Sequence, residues 1–106
     1  MTDRVLLEKA AKAAGIPIDR WYESAEAFYC PTHRIETCWW NPLTDDGDAL
    51  RLAVKLEMDL WIGYGGTDVE SAKVKTITQL TINDDPCAAT RLAIVRAAAE
   101  IGRNMK

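Results

Sequence analysis

An aspartate-led helix start occurs twice in this chain, as Asp45-Asp46-Gly47-Asp48-Ala49-Leu50 and as Asp84-Asp85-Pro86-Cys87-Ala88-Ala89, each time after a stretch with strand chemistry. The copies lie roughly forty residues apart, and self-similarity at a period of that size marks repeated supersecondary units. The pattern predicts two ββα halves preceded by one further helix. The expected fold is α+β, of order α-β-β-α-β-β-α, with a four-stranded, largely antiparallel sheet and helices packed on it. A length of 106 residues fits a single domain spanning 1–106.

Periodicity places the elements. From Asp3 to Ala14, Leu6, Leu7, Ala10, Ala13 and Ala14 share one face and Glu8, Lys9 and Lys12 the other, which predicts a helix capped by Thr2 or Asp3 and stopped by Gly15 and Pro17. Trp21 to Cys30 and Ile35 to Trp40 are aromatic and β-branched enough to predict strands. The second helix follows the Thr44-Asp45-Asp46 cap, with Ala49, Leu52, Ala53 and Leu56 facing the core and Asp48, Arg51 and Lys55 facing solvent. Alternation in Met58 to Tyr64 and Lys73 to Ile82 predicts a hairpin joined by Gly65-Gly66-Thr67-Asp68, with Val74, Thr76, Thr78, Leu80 and Ile82 on one face. A last helix starts at Pro86 and runs to about Gly102.

Composition bounds the function. A net charge of −3 and a pI near 5.1 argue against duplex nucleic acid as a partner, which requires a basic stripe to displace phosphate counterions. No apolar run approaches the roughly 20 residues of a membrane span, and the N-terminus lacks a signal-peptide core, so a cytoplasmic setting is expected. Three cysteines, Cys30, Cys38 and Cys87, fit a reducing compartment. The Cys30, His33 and Cys38 spacing resembles part of a zinc knuckle, but no nearby residue supplies the fourth ligand, so neither metal nor cofactor is expected. A Cys–His nucleophile pair there lacks an orienting group and an oxyanion motif. The acidic run at Asp45, Asp46 and Asp48 lacks the twelve-residue spread of a calcium loop and reads as capping. One histidine and ordinary carboxylates do not assemble a base, a nucleophile and an orienter, so no catalytic residue is named and no enzyme activity is expected.

The last helix carries two apolar sectors, Ala88, Leu92, Val95 and Ala99, and Ile94, Ala97, Ala98 and Ile101, with only Arg96, Glu100 and Arg103 clearly polar. So wide an apolar surface predicts packing against both the sheet and a second subunit, hence a homodimer or higher oligomer. Arg91 lies between the sectors, where a guanidinium meets an anionic ligand, pairs with an aspartate or snorkels to solvent.

The element order, together with the Trp40-to-Val54 block and the Ala88-to-Gly102 helix, resembles the phage ABA-sandwich domain, a family of small phage and prophage proteins, across nearly the whole chain. That resemblance implies an accessory role in a bacterial host cytosol, such as counter-defence by binding without turnover. One form sequesters a host nucleotide-type immune signal at a subunit interface, with guanidinium forks on phosphates and rings on bases; Arg91, Arg96, Arg51, Trp40, Trp61 and Tyr64 are the ligand-binding candidates. The other form blocks a host defence protein, in the manner of an anti-CRISPR inhibitor.

Overall fold

Thr2 is extended and its hydroxyl accepts the Val5 amide, so helix α1 begins at Asp3 and runs to Ala14 in the computed structural model, which describes residues 2–31 and 39–105. Gly15 closes it in the left-handed conformation at φ 66°, which glycine adopts without a side-chain penalty. Leu7, Ala10, Ala11 and Ala14 form its buried face.

The segment Trp21 to Cys30, predicted as one strand, folds back on itself. Glu23 to Glu26 form a turn, closed by the Ala25 and Glu26 amides on the Tyr22 and Glu23 carbonyls, with Glu26 at φ 48°. The result is a hairpin of β1 (Trp21–Tyr22) and β2 (Ala27–Tyr29). Asn41 braces the turn through a side-chain amide bond to the Glu26 carbonyl. Strand β3 (Trp39–Trp40) pairs antiparallel with β2, while the rest of the strand predicted over Ile35 to Trp40 lies outside the described residues.

Helix α2 (Asp46–Lys55) starts where Asp45 Oδ2 accepts the Asp48 amide at 2.8 Å. Ala49, Leu52 and Ala53 are buried as the pattern requires. Asp48 is a correction: it is buried, not solvated, because its carboxylate accepts the Asn41 amide at 3.0 Å and Arg51 Nη2 at 2.8 Å.

Three strands follow where two were predicted. β4 (Asp59–Gly63), β5 (Gly66–Ser71) and β6 (Val74–Leu80) form an antiparallel meander, so Gly66-Thr67-Asp68 is strand and only Tyr64 and Gly65 turn. The single four-stranded sheet is thus replaced by two three-stranded sheets, β1-β2-β3 and β4-β5-β6, and the repeated unit is βββα. A register irregularity between Val69 and Ser71 changes which β6 side chains face the helices. Leu60, Ile62, Thr67, Val69, Ile77 and Gln79 share the helix side, whereas Leu80 and Ile82, predicted on the apolar face, are exposed.

Helix α3 (Pro86–Arg103) is the central element of this α+β protein. Ala93 and Ala97 pack with Val69 on the second sheet, while Ile94, Val95 and Ala98 join α1, Phe28, Trp40 and Leu52 in the main core. Gly102 allows α1 to approach closely, since a Cβ there would lie 1.9 Å from the Lys9 carbonyl oxygen. Val95 and Ala99 of one apolar sector and Ile94, Ala97, Ala98 and Ile101 of the other are buried within the chain, whereas Ala88 and Leu92 are half-buried.

Candidate functional site

A helix about 10 Å across covers two strands spaced about 4.8 Å apart, not three. Helix α3 lies over β5 and β6, and β4 is left with its helix-side residues partly uncovered. The space above them is a groove of about 490 Å³. Leu60, Ile62 and Tyr64 line it from β4 and the turn after it, Ala49 and Leu50 from α2, and Pro86, Cys87 and Ile94 from α3.

The polar groups in the groove are mostly engaged. Thr90 Oγ donates to the Pro86 carbonyl at 2.8 Å and lies 2.7 Å from the buried Thr67 hydroxyl, a strut that ties the first turn of α3 to β5. Arg91 Nε donates to the Leu43 carbonyl at 2.8 Å and Nη1 to Asp46 Oδ1 at 2.6 Å. Its guanidinium, only 18% exposed, is thereby neutralised and anchored to the start of α2. What remains for an incoming group is chiefly aliphatic and aromatic surface, with the Cys87 thiol at one end.

The six predicted ligand-binding residues do not converge. Arg91 and Tyr64 line the groove. Arg51 and Trp40 border a separate cleft of about 260 Å³ between α2 and the Gly15 turn, where Arg51 is held by Asp48 and Trp40 belongs to the core. Arg96 donates from Nη1 to the Thr78 carbonyl at 3.1 Å and to Gln79 Oε1 at 2.9 Å, at the β6 edge of the second sheet. Trp61 faces away from the helices, in register with Asp68. Leu50, Ile62, Cys87 and Ile94, which sequence reasoning did not select, complete the groove. Leu50 and Val54 carried a usable signal: they stand four residues apart on α2, outside its buried face, and both are exposed.

His33 and Cys38, two of the three residues in the zinc-knuckle spacing, lie outside the described residues; Cys30 is buried. Among the described residues no group of three or more His, Cys, Asp or Glu is placed to hold a metal. The aspartates at the start of α2 are engaged within the chain: Asp45 caps the helix and lies 3.8 Å from Arg51, Asp46 pairs with Arg91, and Asp48 takes Asn41 and Arg51. No helix among the described residues is long and apolar enough to cross a membrane. No family model, curated protein or solved structure matches this chain.

Proposed function

We propose that this protein is a binding module without catalytic turnover, which acts by holding an apolar segment of another protein in the groove between α2, β4 and α3. The observation that carries this reading is the makeup of the groove: a volume of about 490 Å³ lined mainly by Leu50, Leu60, Ile62, Tyr64, Pro86 and Ile94, whose one guanidinium is already paired with Asp46. Largely apolar concavities with few polar groups suit hydrophobic anchors. A nucleotide-sequestering site calls for arginines free to fork onto phosphates, and Arg51, Arg91 and Arg96 each have carboxylate or carbonyl partners in three different places. Of the two binding roles implied by the phage-protein resemblance, blockade of a host defence protein fits this surface better than capture of a nucleotide signal.

A thermal-shift panel of cyclic and linear nucleotides separates the two. A ligand at a hundred times its dissociation constant adds about 2.7 kcal/mol of stability; no nucleotide is expected to do so. An environment-sensitive apolar dye is expected to bind the intact chain and to lose most of its affinity in Leu50→Asp. A nucleotide that raises the melting temperature, with the effect abolished in Arg91→Gln, would overturn the reading in favour of sequestration.

A further inference from the structure

Among the described residues the second sheet has two open edges, and they are built differently. The Thr81 amide donates to the Gly65 carbonyl, one step beyond the Gly66–Leu80 pair, so Gly65 and Thr81 face each other as a hydrogen-bonded position. Hydrogen-bonded and non-bonded pairs alternate along an antiparallel ladder. Thr67 and Val69 therefore bond to β6, while Gly66, Asp68 and Glu70 bond to Gly63, Trp61 and Asp59 of β4. It follows that the N–H and C=O groups of Leu60 and Ile62 point out of the free edge of β4. By the same alternation those of Thr78 point out of the free edge of β6, and there the carbonyl is taken by Arg96. That edge also carries Lys75 and lies beside the register irregularity at Val69/Ser71. Charged side chains, above all lysine, and bulges are the usual guards of an edge strand, and β4 has only Asp59, at its start.

Side-chain exposure marks the same strand. Trp61 is 55% exposed on one face of β4 and Ile62 62% on the other, next to Tyr64 at 82%, and Leu50 and Val54 of α2 are 60% and 68% exposed. At roughly 150 Å² per aliphatic and 200–250 Å² per aromatic side chain, these five expose on the order of 600 Å². Exposed apolar surface beyond a few hundred Å² marks an interaction site on a small protein. Leu60 and Ile62 on the helix side and Trp61 on the other give β4 apolar side chains on both faces.

We propose that β4 pairs antiparallel with β4 of a second copy about a two-fold axis at Trp61, giving a continuous six-stranded sheet. This register is the one the strand's chemistry selects. Leu60 of each copy faces Ile62 of the other as a hydrogen-bonded pair, using the outward-pointing groups. Trp61 faces its counterpart as a non-bonded, closely spaced aromatic pair, an arrangement that stabilises sheets. Asp59 faces Gly63, so no like charges meet. A two-fold contact is self-limiting and leaves no free β4 edge for further addition. The helix-side Leu60 and Ile62 of the second copy continue the groove floor of the first, so two half-grooves merge into one apolar cleft across the axis. The pairing stands independently of what that cleft holds.

Light scattering after gel filtration of the intact chain is expected to give about twice its 11.8 kDa mass. Ile62→Pro removes an amide that points to the second copy and none that bonds to β5, and proline is tolerated on an edge strand. This variant is expected to elute as a folded monomer with an unchanged circular dichroism spectrum. In a Cys87→Ser background, Trp61→Cys is expected to cross-link on oxidation, because closely spaced non-bonded pairs put Cα atoms about 4.5 Å apart, within disulfide range. Asp59→Cys is expected not to cross-link, since four residues of strand, roughly 14 Å, separate it from its counterpart. A monomeric wild type overturns the proposal. So does a dimer that survives Ile62→Pro and fails to cross-link through Trp61→Cys.

Discussion

Asp48 accepts hydrogen bonds from the Asn41 amide and from Arg51 at the start of α2, with its side chain 4% exposed. Removing it leaves a buried backbone donor without that acceptor, while the half-exposed guanidinium turns to water. Asp48→Ala is expected to cost about 2 kcal/mol, a fall in melting temperature on the order of 10 °C, and Asp48→Asn about half as much. Thermal unfolding followed by circular dichroism measures both. At the other end of the chain, the Arg103 hydrogen bond holds the Glu100 carboxyl below its ordinary range. Because the folded pKa is the depressed one, any stability this pair contributes is present above the ordinary carboxylate pKa and is lost as pH falls through the folded value. An NMR titration of Glu100 is expected to show the low midpoint, and Arg103→Gln to return it to the ordinary range. Roles of this kind were partly legible in the sequence. The aspartates read as caps from the sequence, and an Arg91–aspartate pair is one of its open readings. Helical periodicity put Asp48 with Arg51 and Lys55 on the wet face because its other partner, the Asn41 backbone, is tertiary and invisible to local pattern.

Among elements, helices were readable and strands less so. Helix α1 occupies the predicted Asp3–Ala14, and α2 and α3 begin beside the predicted aspartates, because caps and 3.6-residue periodicity are local signals. Strands were miscounted for two physical reasons. The Glu23–Glu26 turn contains neither glycine nor proline, and it is held in part by a long-range bond from Asn41. Gly65-Gly66 reads locally as loop, although Gly66 is a strand residue whose missing Cβ leaves room for the Gln79 carbonyl 2.7 Å from that position. The α1–α3 contact depends on a similar economy of volume at Gly102. An alanine there gains up to about 1 kcal/mol of helix propensity, but its methyl would overlap the Lys9 backbone. Gly102→Ala is expected to lower stability by about 2–3 kcal/mol net, measured as a shift in urea midpoint at constant slope.

At the scale of the whole molecule, one helix too few over the second sheet leaves β4 and α2 with apolar surface facing outward, and this imbalance makes the groove. The candidate site was only half legible in the sequence. Tyr64 and Arg91 were named for their chemistry and both line it. Trp40, Trp61, Arg51 and Arg96 were named on the same grounds, yet the fold sends them to the core, the outer sheet face, the Asp48 pair and the β6 edge. Residue type predicted affinity for a ligand class, whereas which residues meet depended on how much of a three-stranded sheet one helix covers. The most direct measurement is a ¹H–¹⁵N correlation spectrum of the intact chain titrated with the apolar dye and, separately, with nucleotides. The account predicts dye-induced shifts concentrated at Leu50, Leu60, Ile62, Tyr64, Cys87 and Ile94, and no saturable shifts with nucleotides. Dye shifts scattered away from these residues, or saturable nucleotide shifts at Arg51, Arg91 or Arg96, would contradict it.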